Sequence, residues 1–150
     1  MKRSDQAVHY FRNGFNCSQS VFAAFHDIAD LPEDQCLRIA TAFGGGMGRQ
    51  QMTCGAVTGA LMALGLKYGK ALHDPESNKV DTYLKTTAFF REFRARHKTI
   101  NCSELLEGLD MNNPADLKKI NEKDLFRTHC AQYVKDAVAI ACQLMQEEDE

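Results

Sequence analysis

Four of the six cysteines in this 150-residue chain fall where helix starts are expected. Asn16-Cys17-Ser18 and Asn101-Cys102-Ser103 place a cysteine behind an asparagine, and Thr53-Cys54-Gly55 places one behind a threonine. Thr128-His129-Cys130 sets the last one position further in. Asn and Thr cap helices because their side-chain oxygens accept from the unpaired N–H groups of the first turn. A thiol in that turn faces the positive end of the helix dipole, which favours thiolate and predicts a lowered pKa. Thiolate is the form that attacks disulfides and binds metals. Packing alone gives no reason to repeat the placement four times, so the pattern points to thiol chemistry over a set of buried, inert thiols.

Two kinds of chemistry fit Cys17, Cys54, Cys102 and Cys130. In thiol–disulfide exchange one cysteine attacks and a neighbour resolves, and the sequence does not choose among the pairings. As metal ligands, the four lack a C-x-x-C pair and zinc-ribbon spacing. A site where four helix starts converge does not depend on such spacing. Thiolates around a [2Fe–2S] cluster carry net negative charge that helix N-termini stabilise, and zinc is the other candidate metal. The two remaining cysteines read differently. Cys142 shares a helix face with Val138 and Met145 and is expected in the core. Cys36, inside the third predicted helix, is either a packing residue or a resolving thiol.

The elements that must hold these residues read as helices throughout. Apolar residues make up 44% and charged residues 25%, ordinary for a globular chain whose length suggests one domain, 1–150, with a core that needs no disulfide staple. Helices are predicted over 4–13, 16–30, 31–43, 53–68, 75–97, a short one over 102–108, another starting at Asn113-Pro114, and a last one over 128–147. Gly14, Gly44-Gly45-Gly46 and Gly69 stand as stops. Val80, Tyr83, Leu84, Thr87, Phe90 and Phe93 read as one face of the longest helix. The fold class expected is all-α, a compact bundle of about five main helices with short ones inserted. A net charge of −2 gives no reason to expect nucleic acid or an anionic membrane as partner. The longest apolar stretch, 56–66, is too short for a bilayer span and is interrupted by Thr58, Gly59 and Gly65. No secretory signal is visible, so a reducing cytoplasm is the expected location. There, grouped cysteines serve catalysis, redox sensing or metal binding more often than structural disulfides.

The fourth predicted helix carries Gly55, Gly59 and Ala63 at i, i+4 and i+8, a ridge with little side-chain bulk. Each glycine inside a helix costs roughly 1 kcal/mol relative to alanine, so two on one face need a reason. One reason is close helix–helix packing. The other is a bulky group beside Cys54, which makes Gly55 and Gly59 candidate cofactor-binding positions. The run Cys54-Gly55-Ala56-Val57-Thr58-Gly59 resembles the CGAxxG signature of the redox-active protein family named for its pattern C_GCAxxG_C_C. Cys17 matches the cysteine before the signature, and Cys102 and Cys130 match the two after it. The loop Phe43-Gly44-Gly45-Gly46-Met47-Gly48-Arg49 and the extension Gly59-Ala60-Leu61-Met62-Ala63-Leu64-Gly65 also look like that family. The resemblance spans nearly the whole chain and implies redox work at the cysteines, with no substrate attached. A similar module stands beside c-type haem in split-Soret cytochromes, where the resemblance suggests an iron–sulfur cluster. This chain has no C-x-x-C-H haem motif.

The Gly44–Gly48 loop follows a helix and lacks the phosphate-binding glycine patterns, so it reads as a stop that lets backbone pass close to the cysteines. Arg49 at its exit is either solvated or paired with a thiolate or an anionic substrate. His129 is a candidate base or alternative ligand, and His9, His26, His73 and His97 read as satisfied polar residues. The run from Arg91 to Lys98 reads as the outer, basic end of the long helix. The function expected is thiol-dependent oxidoreduction or electron transfer at Cys17, Cys54, Cys102 and Cys130. The alternative is an iron–sulfur or zinc binding protein with the same ligands and no turnover. Partners implied are a redox protein or small-molecule substrate, with a second copy of the chain also compatible.

Overall fold

The structure, a computed structural model, describes residues 1–149, and among them the chain forms nine α-helices and no strand. The helices are α1 (Arg3–Arg12), α2 (Cys17–Ala23), α3 (His26–Ala29), α4 (Glu33–Ala40), α5 (Gly55–Tyr68), α6 (Glu76–His97), α7 (Cys102–Leu105), α8 (Pro114–Glu122) and α9 (Ala131–Met145). No helix among the described residues is long and apolar enough to cross a membrane.

Helix α5 is the centre of the packing and meets α2, α6 and α9. Ala56, Val57, Ala60 and Leu64 are fully buried, so this helix has core on most sides, as its nearly unbroken apolar sequence requires. The contact with α2 is the closest. A Cβ on Gly59 would fall 2.6 Å from the Ser18 carbonyl oxygen and 3.1 Å from Val21 Cβ, so the absence of a side chain there lets α2 lie against bare backbone. The Ser18 and Thr58 hydroxyls, 3.2 Å apart, hydrogen-bond across the same seam. Gly59 therefore serves helix packing.

Several boundaries differ from the sequence expectation. The helix expected over 16–30 is broken after Ala23, because the Arg3 guanidinium donates to the Ala24 carbonyl oxygen at 2.6 Å and also grips Asp27. In α6 the buried residues are Phe89 and Phe93, whereas Val80, Tyr83 and Leu84 are more than half exposed. Its contact face runs instead through Asn78, Thr82, Lys85, Phe89 and Phe93, with Lys85 over the Tyr68 ring and Asn78 donating to the Gly69 carbonyl. Two hydrophobic clusters result. The large one joins α1, α2, α4, α5, α6 and α9, and the small one gathers Cys102, Leu106, Met111, Ile120 and Leu125 around α7 and α8.

Two glycines of α5 should respond oppositely to substitution. Gly59→Val should cost about 2–3 kcal/mol in chemical denaturation, since overpacking forces backbone to move. Gly65→Ala, where a Cβ meets nothing within 4 Å, should stabilise by up to about 1 kcal/mol. Equal effects at the two sites would refute the close α2–α5 approach.

Candidate functional site

A cavity of about 660 Å³ opens where the two hydrophobic clusters meet, and Cys17, Cys54, Cys102 and Cys130 all line it. Cys36 and Cys142 do not. Both are buried in the large cluster, Cys36 on α4 and Cys142 on α9. No cysteine is in a disulfide.

Each of the four is placed by a different local device. Cys17 opens α2 behind Asn16, whose side chain accepts from the Gln19 N–H at 2.9 Å while the Gln19 side chain accepts from the Asn16 N–H. This is a complete capping box. The Cys17 sulfur lies against Gly55, and a Cβ there would penetrate it. Gly55 is thus required by the sulfur of Cys17, and it lines the cavity, which Gly59 does not.

Cys54 is the N-cap residue of α5 itself, one place later than Thr53, the expected cap, and no side chain caps that helix. Thr53 is extended and bridges to Asn101. Around it the Cys54 N–H donates to the Ile100 carbonyl at 2.7 Å, and the Cys102 N–H donates to the Met52 carbonyl at 2.6 Å. Two cysteine-bearing segments distant in sequence are therefore laced together by backbone hydrogen bonds.

Cys130 departs from the helix-start expectation. Thr128 does not cap a helix: its hydroxyl donates back to the Asp124 carbonyl at 2.8 Å. Cys130 ends a π-helical turn, Phe126–Cys130, that runs directly into α9. Such turns re-aim side chains within an otherwise regular helix. Cys102 does open a helix, but α7 is a single turn and Asn101 makes no side-chain cap bond.

Burial decides the electrostatics. All four thiols are pushed above their ordinary pKa, with desolvation the leading cause in each: Cys102 up to about 12, and Cys54 and Cys130 also strongly. Neighbouring thiols of the set reinforce the shift at Cys54, Cys102 and Cys130. The lowered pKa expected from helix starts is therefore overturned: loss of water outweighs the dipole. Backbone N–H groups oppose the rise at two of the four: those of Ala56 and Val57 at Cys54, and a larger set at Cys17. Burial raises Cys17 too, but N–H groups of Gly45, Ser18, Gly55 and Cys17 itself point at the sulfur and oppose the rise.

The glycine-rich loop forms a wall of the cavity. Met47, Arg49 and Gln51 all take positive φ, at 71°, 65° and 56°, a conformation side chains rarely adopt unless surrounding bonds impose it. Gln51, not singled out by its sequence, does much of this. Its side chain accepts from the Met111 N–H at 2.8 Å and donates to the Leu109 carbonyl at 2.9 Å, so it ties the loop to the segment after α7. The Arg49 carbonyl accepts from the Asn112 side chain at 2.8 Å. Tyr133 is the other residue unforeseen. It lines the cavity, its hydroxyl donates to the Leu105 carbonyl at 2.9 Å, and burial together with Cys130 and Cys54 pushes its pKa up to about 12. No pattern in the sequence marks either residue. His129 is exposed, 3.2 Å from the Thr128 hydroxyl, and stands outside the cavity lining.

Among the described residues no three His, Cys, Asp or Glu side chains are gathered closely enough to hold one metal ion.

Taken with the geometry, sequence comparison places this arrangement in a class of cysteine proteins. Residues 15–144 match the family described as "Putative redox-active protein (C_GCAxxG_C_C)", and the chain belongs to that family. A relative from Archaeoglobus fulgidus, described only as an uncharacterized protein, is 22% identical over 98% of this chain and 95% of its own length. No solved structure matches the chain significantly.

The raised thiol pKa values carry a pH consequence. The folded protein keeps protons that the unfolded chain releases above its ordinary thiol pKa, about 8.5. Stability of the reduced protein should be level below that pH and fall as pH climbs towards about 12, the value for Cys102. Urea denaturation at pH 8 and pH 10.5 measures the fall, which should be shallower when Cys102 and Cys130 are replaced by Ser. A curve that rises with pH in that window would contradict the burial argument.

Proposed function

We propose that this chain is a thiol–disulfide redox protein whose working groups are Cys17, Cys54, Cys102 and Cys130. One observation carries the reading: four cysteines from four segments line one cavity, while the other two lie in the packed core. Cys17 is the attacking group, because negative charge on its sulfur is met by N–H groups from Gly45, Ser18 and Gly55. Its thiolate, formed by loss of a proton to solvent, attacks a sulfur of a disulfide substrate. The S–S bond breaks, and the leaving thiolate takes up a proton.

Cys54 is the resolving group, since the Cys17 sulfur lies against Gly55, its chain neighbour. Cys54 attacks the Cys17 sulfur, gives up its proton, and releases the second thiol. The substrate gains two electrons and the protein is left with a disulfide, which an external dithiol reduces. Cys102 and Cys130 face the same space and would supply a second pair. Among the described residues no three ligating side chains are gathered closely enough to hold one ion, which supports pairwise exchange, and no step is routed through a metal.

Mild oxidation of the reduced protein followed by peptide mapping tests this. Cavity thiols should be consumed in pairs, with Cys17–Cys54 prominent, while Cys36 and Cys142 stay free. Cys17→Ser should abolish turnover with a disulfide substrate, whereas Cys142→Ala should leave it intact at a modest packing cost. Bound iron or zinc after anaerobic purification, lost on Cys54→Ser, would replace this reading with that of a metal carrier.

A further inference from the structure

Among the described residues one charged residue lines the cavity, and it is Arg49. The rest of the lining beyond the sulfurs is backbone, two short polar side chains and an apolar wall that includes Phe11, Leu106, Met111, Phe126 and Tyr133. Arg49 is exposed and stands at the mouth, while Cys54 and Gly55 are buried at the floor. Its place is imposed by the backbone. The Arg49 N–H donates to the Gly44 carbonyl at 3.3 Å, and its carbonyl is held by Asn112. Arg49 Cγ lies 3.1 Å from where a Cβ on Gly45 would stand, so its stem folds over the residue whose N–H faces the Cys17 sulfur. Among the described residues its guanidinium forms no ion pair.

We infer that the substrate is a small organic disulfide with an apolar, aromatic-sized body and an anionic group, and that Arg49 selects it. This rests on the thiol–disulfide reading and adds the substrate class. The apolar wall takes the body, the carboxylate meets Arg49 at the mouth, and the S–S bond is directed inward at Cys17. Exchange then runs as above: Cys17 takes one half as a mixed disulfide, Cys54 displaces it, and two substrate thiols leave. A guanidinium suits this role because it stays charged and binds carboxylate in a forked geometry.

The test compares rates of the reduced protein with three probes: dithiobis(nitrobenzoate), which is aromatic and anionic; dithiodipyridine, aromatic and neutral; and bis(hydroxyethyl) disulfide, neutral and small. Each rate is divided by that of a free small thiol with the same probe, which removes intrinsic reactivity. The normalised order should be anionic aromatic, then neutral aromatic, then hydroxyethyl. Arg49→Gln, a side chain that position 51 already carries at a similar positive φ, should slow the anionic probe about fivefold, the scale of one partly exposed ion pair. The neutral aromatic probe should stay within about twofold, because no ion pair is lost. Circular dichroism confirms an unchanged helical fold. Equal slowing of both aromatic probes, or no slowing of the anionic one, overturns the role of Arg49. If the wild-type protein reacts with none of the probes, or as fast after Cys17→Ser, the thiol–disulfide reading itself fails.

Discussion

The approach of α2 to the first two turns of α5 is the constraint on which the site depends. Side chains at 55 and 59 would hold the helices apart, and without them the Ser18 carbonyl and the Cys17 sulfur rest on bare backbone. Buried Ser18 is then satisfied by Thr58, so the seam excludes water without leaving a polar group unpaired. The same approach carries Asn16 into reach of the Thr41 carbonyl, 2.9 Å from its amide nitrogen, and so ties the glycine-rich loop's starting point to α2. Removing the two glycines would move one cysteine, one cap and one loop together.

A second, independent lacing completes the cavity. Residues 51–54 and 100–103 exchange backbone hydrogen bonds in a short antiparallel run, and Gln51 extends it to Met111. This brings the small cluster around α7 and α8 against the large one while leaving space between them. The electrostatic character follows from that geometry. The cavity is walled by apolar groups, so water that would stabilise thiolates is largely replaced by neighbours that do not, and compensating N–H groups reach Cys17 and Cys54 but not Cys102 or Cys130.

Much of this was readable in the residues. The all-α fold follows from helical periodicity and from the glycine stops, and the family pattern separated the four cavity cysteines from Cys36 and Cys142. Gly55 and Gly59 were marked by their cost inside a helix, but their reasons differ: one accommodates a sulfur, the other a neighbouring helix. What stayed hidden depends on contacts distant in sequence. Arg3 interrupts the second helix from across the fold. The first half of α6 meets Tyr68 and Gly69 through Lys85 and Asn78, which leaves its Val80, Tyr83 and Leu84 exposed. Helix-start logic gave the wrong sign for the thiol pKa values because burial is a tertiary property. It also misread Thr128, whose hydroxyl turns back to Asp124 and not forward to a free N–H. Gln51 and Tyr133 carry no local signal at all.

The π-turn from Phe126 to Cys130 holds one more residue than an α-helical turn would over the same path. Each residue of an α-helix advances the side-chain direction by about 100°. Were that extra residue lost, α9 with Cys130 and the segment before the turn could not both keep their packing, and one would rotate by that angle against the other, parting Cys130 from the small cluster it packs on. The spacing between Asp124 and Ala131 is therefore a register, as binding on the chain as the identity of the cysteine itself. Substitutions along the turn can be absorbed by repacking, but an insertion or deletion there would keep every cysteine in the sequence and still break up the set.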